Sequence, residues 1–202
     1  MMTPPDSIGR LHMEVTALRK PTRADSAKAI AVAKELRSAI AKYADTASAV
    51  RDGYTMFAPQ MKTQKTYHFT RNMNAFTSVF RFDPAKPTSL LYERDSTGRM
   101  KLVGAMYTMP KRASLDRLND RIPLSIAQWH KHVNWCVPGK KHQERWLEKK
   151  NGLPVFGPES PIATEAECKK VGGEFHETAF GWMIHANVFA GDDLATVFGH
   201  HH

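Results

Sequence analysis

The sequence predicts an α+β fold, with a long N-terminal helix packed on a twisted antiparallel β-sheet or small β-barrel and short additional helices. Three observations carry this prediction. A helix-period stripe runs through residues 22–52, short β-branched and aromatic runs fill the chain after Gly53, and turn-forming clusters separate those runs. Residues 1–21 are Pro-punctuated and weakly patterned, which reads as a flexible N-terminal arm. Residues 22–202 show no repeat and no Gly/Ser linker, so they read as a single globular domain.

The helix over 22–52 rests on Ala29, Ala33, Leu36, Ile40, Tyr43, Ala47 and Val50, which recur at three- and four-residue steps. Thr22 with Asp25 forms a capping-box pattern, and Gly53 supplies the stop. Residues 54–190 form the β-rich region. TYHFTRN, FTSVFRF, TSLLYERD and RMKLVGAMYTM read as strands, the last two joined in a hairpin through Ser96, Thr97 and Gly98. A short helix is signalled at Ser114, before Pro123 leads into the strand WHKHVNWC. The charged stretch between Pro138 and Pro154 reads as a loop or a short exposed helix. Thr164 and Glu167 cap a second helix that contains Cys168 and ends at Gly172 and Gly173, and AFGWMIHANVF supplies a final strand.

Composition narrows the functional classes. The 202 residues, 42% of them hydrophobic, suffice for a packed core, and no apolar run is long enough for a membrane span. The first residues lack the apolar stretch of a signal peptide. The formal charge of +9 permits polyanion binding, but the basic residues are interleaved with acids, which favours a solvated surface over a nucleic-acid site. The motifs GxSxG, the Walker loop and GxGxxG are all missing. Cys136 and Cys168 leave three options: one disulfide, two thiols, or a thiolate ligand from Cys136. The disulfide is favoured, and it points to a periplasmic or extracellular home, with the cytoplasm left open.

Strand alternation places His130, His132, Asn134 and Cys136 on one face of WHKHVNWC and Trp129, Lys131, Val133 and Trp135 on the other. By the same rule His185 shares a face with Asn187, and His68 with Asn72. Two histidines two residues apart on a strand, joined by distant histidines on other strands, are a donor set that zinc or copper accepts. His68, His130, His132 and His185 are therefore the candidate ligands of a divalent transition metal. Asn134 and Asn187 would orient rings or meet substrate, and Glu93 is the carboxylate placed to join them. If the protein is an enzyme, the ion would serve as Lewis acid or water activator. The alternative is a module that binds a small non-metal ligand or a partner, with structural histidines and an aromatic-lined pocket; a polyanion-binding module is weaker still. His176 reads as a turn or rim residue, and the terminal His200–His202 run is not counted as a metal site. The sequence sets no oligomeric state.

Taken as a set, PTSLLYERD, KLVGAMYTMP, RIPLSIAQWHKHVNWC, CKKVGGEF and AFGWMIHANVF resemble blocks of a family of small, often exported bacterial proteins without an assigned activity. WHxHxNWC and FGWMxH are the specific motifs, and the resemblance spans residues 54–190. It implies that His130, His132 and His185 act as one unit, and it implies no ligand, reaction or fold.

Overall fold

The computed structural model describes residues 5–59 and 64–199. Its helices are α1 (Pro5–Leu11), α2 (Arg23–Ile40), α3 (Thr46–Arg51), α4 (Asn72–Ser78), α5 (Leu115–Asn119), α6 (Glu165–Lys170) and α7 (Leu194–Phe198). The strands are β1 (Met13–Val15), β2 (Thr55–Met56), β3 (Tyr67–Thr70), β4 (Ser89–Arg94), β5 (Met100–Met109), β6 (His130–Pro138), β7 (Lys149–Lys150), β8 (Leu153–Pro154), β9 (Gly173–Thr178) and β10 (Trp182–Ala186). The class is α+β, and the β1–β6, β2–β3, β3–β4, β4–β5, β6–β9 and β7–β8 pairs are antiparallel. The chain divides into two compact units: residues up to 15 with 130–182, and residues 16–129 with the chain from 183.

In the second unit the strands run in the order β10-β5-β4-β3-β2. The order is linear, so the described strands form a sheet and close no barrel. Helix α2 begins as the capping pattern requires: Thr22 Oγ1 accepts from Asp25 N, and the Asp25 carboxylate accepts from Thr22 N. It buries Ala29, Val32, Leu36 and Ile40, a stripe worth about 1.5–3 kcal/mol for each large side chain removed from water. The stripe expected to continue to Val50 is interrupted. After Ile40 the chain tightens into a 3-10 turn at Ala41–Tyr43, where the Tyr43 carbonyl accepts from the Tyr92 hydroxyl, and Asp45 caps the separate α3 through Ala47 N. That break shifts the helical phase, so Ala49 is buried while Ala47 and Val50 face solvent.

Strands β4 and β5 form the expected hairpin. Asp95 Oδ1 organises its turn by accepting from Thr97 N, Thr97 Oγ1 and Arg99 N, with Gly98 at φ 81°. FTSVFRF, in contrast, is not a strand: Asn72–Ser78 is helical and the chain then turns. Asn74 decides this locally, because its buried amide donates to Tyr54 Oη and Pro87 O, contacts a helical turn provides. Arg37 of α2 holds the segment between β10 and α7, donating to Val188 O at 2.6 Å, Gly191 O at 2.7 Å and Asp192 Oδ1 at 2.6 Å.

In the first unit β6 pairs with β1 on one side and β9 on the other. Where an arm was expected, residues 5–15 thus form a helix and a strand. They are fixed by ladder bonds, by a Glu14–Lys131 ion pair at 3.0 Å, and by the buried His12, whose Nε2 lies 2.6 Å from Ser160 O. The Cys136–Cys168 disulfide joins β6 to α6, and Val155 and Phe156 pack around it. The charged stretch after Pro138 holds a 3-10 turn at Gln143–Leu147 and the small β7–β8 hairpin. Asn151 and Gly152 turn that hairpin, both at positive φ (52° and 82°), as a tight two-residue turn requires.

Candidate functional site

The histidines come in pairs, one in each unit. On β6, the His130 and His132 rings lie 5.7 Å apart between centroids at an interplanar angle of 79°. His130 is 1% exposed and His132 half-buried. In the second unit β3 carries His68, opposite Leu91 of β4, and β10 carries His185, and their rings are 5.5 Å apart. Burial holds the His68 imidazole below its usual pKa, partly offset by a backbone hydrogen bond at Thr66, so the ring is neutral at neutral pH. Among the described residues no group of three or more His, Cys, Asp or Glu takes a metal-holding arrangement.

Alternation along WHKHVNWC breaks at one residue. Asn134 adopts φ 56°, a left-handed conformation that Asn tolerates better than most side chains, and its Nδ2 donates to Leu11 O at 3.0 Å. The turn this puts into β6 brings His132 and Trp135, three positions apart, to 4.9 Å between ring centroids. Trp135 therefore does not share a packing face apart from the histidines. Phe180 completes the corner, 5.3 Å from Trp135 and 6.2 Å from His132, nearly perpendicular to both. Trp135 Nε1 is shielded from water and makes no hydrogen bond with any described residue.

The remaining candidates are dispersed. Cys136 is bonded to Cys168 and offers no thiolate. Glu93 is exposed near the end of β4, opposite Lys101. Asn187 follows β10, half-buried, with its backbone N–H donating to Val197 O. Asn72 opens α4 rather than extending β3. His176 lies in β9 opposite Trp135, in a strand and not a turn, and is exposed. The His200–His202 run falls outside the described residues. Sequence reasoning missed the aromatic corner, because strict alternation separates His132 from Trp135. The Asn between them was the available signal, as Asn is among the residues that take positive φ most readily.

Compared with known proteins, the chain matches no family model, no curated protein and no solved structure, so its own geometry carries the functional reading.

Proposed function

We propose that this protein binds divalent transition-metal ions, zinc or copper, at two separate imidazole pairs, His130 with His132 in one unit and His68 with His185 in the other. The ring separations of 5.7 and 5.5 Å are the observation that carries the reading. Two imidazoles bound through nitrogen at about 2.1 Å to one tetrahedral ion place their ring centroids roughly 5 Å apart. Each pair thus has the spacing of two ligands of one ion. Positions left open by a pair would suit Lewis-acid or water-activating chemistry. His132 has Asn134 two residues on, and His185 has Asn187, so polar side chains lie close in sequence to one imidazole of each pair. The disulfide supports an oxidising setting, periplasmic or extracellular, for this activity.

The test is metal titration of a chain in which His200, His201 and His202 are replaced by Ala, since a terminal His run chelates on its own. Binding of Zn(II) or Cu(II) at each pair is expected, and H130Q/H132Q and H68Q/H185Q should each weaken the binding event of the pair they alter by at least about tenfold while leaving the other. With Cu(II), nitrogen hyperfine structure in the paramagnetic resonance spectrum should diminish in the same variants. Affinity and spectra unchanged in both double variants would sink the proposal.

The aromatic corner favours a second reading, a module for a small aromatic ligand bearing an oxygen acceptor. Trp135 Nε1, shielded from water and without a hydrogen bond to any described residue, would donate to that acceptor. Titration with phenyl and indolyl carboxylates separates the two readings: binding that requires Trp135 and survives H68Q/H185Q supports the ligand module.

A further inference from the structure

Helix α4 and the turn that follows it present apolar side chains that the fold leaves exposed. Met73, Phe76 and Phe80, at steps of three and four, are 62%, 63% and 76% exposed, and the two phenyl rings rest edge to face at 5.6 Å. The opposite side of the same segment is anchored, with Asn74 and Ser78 buried. Aromatic side chains held this far into water incur a hydration cost that burial against a partner would relieve.

What surrounds the face identifies that partner. Beside Met73 opens a pocket of about 390 Å³ whose charged lining is Arg71, Arg81, Lys86 and Asp83, three cations against one carboxylate. Asp83 is already paired with Lys86 at 3.1 Å. Arg71 also acts on the Asp52 carboxylate, which hydrogen-bonds Lys42 and Tyr43, so the pocket keeps a net positive lining in which Met73 is the apolar side chain. A cationic pocket beside exposed Phe and Met is the pairing that peripheral proteins present to lipid: the charges meet headgroups and the rings enter the acyl boundary. The formal charge of +9 adds long-range attraction to such a surface.

We propose that the α4 face docks on an anionic lipid surface, with lipid phosphate held by Arg71 and Arg81 in the pocket and Met73, Phe76 and Phe80 inserted at the interface. The test is co-sedimentation of the full chain with vesicles of phosphatidylcholine, alone or containing about one third phosphatidylglycerol. Binding to the anionic vesicles should exceed binding to the neutral ones, weaken with salt, and fall at least tenfold in both F76S/F80S and R71Q/R81Q. The variant R71K/R81K should retain it. Because these side chains are exposed or pocket-lining, melting temperatures should stay near that of the parent, so a loss reads the surface and not the fold. The proposal is overturned if anionic vesicles are not bound or if both double variants bind like the parent. It is overturned equally if millimolar inorganic phosphate abolishes binding, which marks a free-anion site. The same holds if the parent is a dimer that F76S/F80S dissociates, which assigns the face to a second copy.

Discussion

Gly173 and Gly104 are small because of what stands beside them. A Cβ at Gly173 would come within 2.5 Å of Cys136 Sγ and 2.9 Å of Phe156 Cε1, so the disulfide core rests directly on its Cα. Gly173→Ala should destabilise by about 1–3 kcal/mol in a denaturant titration, since side chains on one side give way. At Gly104 the obstruction is backbone, with Asn187 Cα 2.7 Å from the added carbon and the Ala186 carbonyl closer still. Backbone in a sheet cannot step aside, so Gly104→Ala should cost about 3 kcal/mol or more. Asn134 differs in kind, because its constraint is conformational. Asn134→Gly should be tolerated, whereas Asn134→Val should lose about 1–3 kcal/mol and change the near-ultraviolet dichroism of Trp135 beside His132.

Among elements, α2 and the disulfide loop set the terms. Leu36→Ala on the fully buried stripe of α2 should cost about 2–5 kcal/mol, and Thr22→Ala at its exposed cap about 1 kcal/mol. Reducing the Cys136–Cys168 bond, which closes a loop of separation 32, should cost roughly 3–4 kcal/mol by loop entropy, measured as a drop in melting temperature with reductant. Elements with local punctuation were legible in the sequence. Thr22, Ser114 and Thr164 each cap the helix they announced, and Ser96 to Gly98 turn the hairpin. Elements decided by distant partners were not. The break after Ile40 depends on a hydroxyl from Tyr92, and the helical choice at Asn72–Ser78 depends on what Asn74 meets at Tyr54 and Pro87. The candidate site shows the same division: period two places His130 beside His132, and the pairing of His68 with His185 is tertiary.

Taken whole, the molecule should have a broad pH plateau with identifiable edges. Hydrogen bonds from Thr97, and then from backbone N–H groups, hold Asp95 down at about 2, and the Ser125 and Thr22 hydroxyls lower Asp25. Carboxylates so lowered stabilise the fold above their ordinary pKa of about 4 and lose that contribution as pH falls toward the folded values. Melting temperature should therefore decline between about pH 4 and pH 2, and the gap between the parent and Asp95→Asn should close over that window. At the other edge, burial raises the pKa of Tyr54, Tyr92 and Tyr107. Their contribution is complete below the ordinary tyrosine pKa of about 10 and is lost as pH climbs above it.

Arg37 gives the molecule a timetable. The carbonyls and carboxylate its guanidinium grips lie 151 to 155 residues further along the chain. During synthesis the first long helix must wait for more than 150 further residues before its side chain finds these partners, and β10, the neighbour of β5, is made only after the whole 130–181 segment. Late closure of this kind raises contact order and prolongs the interval in which the apolar face of α2 and the edge of β5 stand open to other chains. A ribosome stalled before Trp182 would hold such an unfinished sheet, and emergence of residues 182–192 would be the event that seals it.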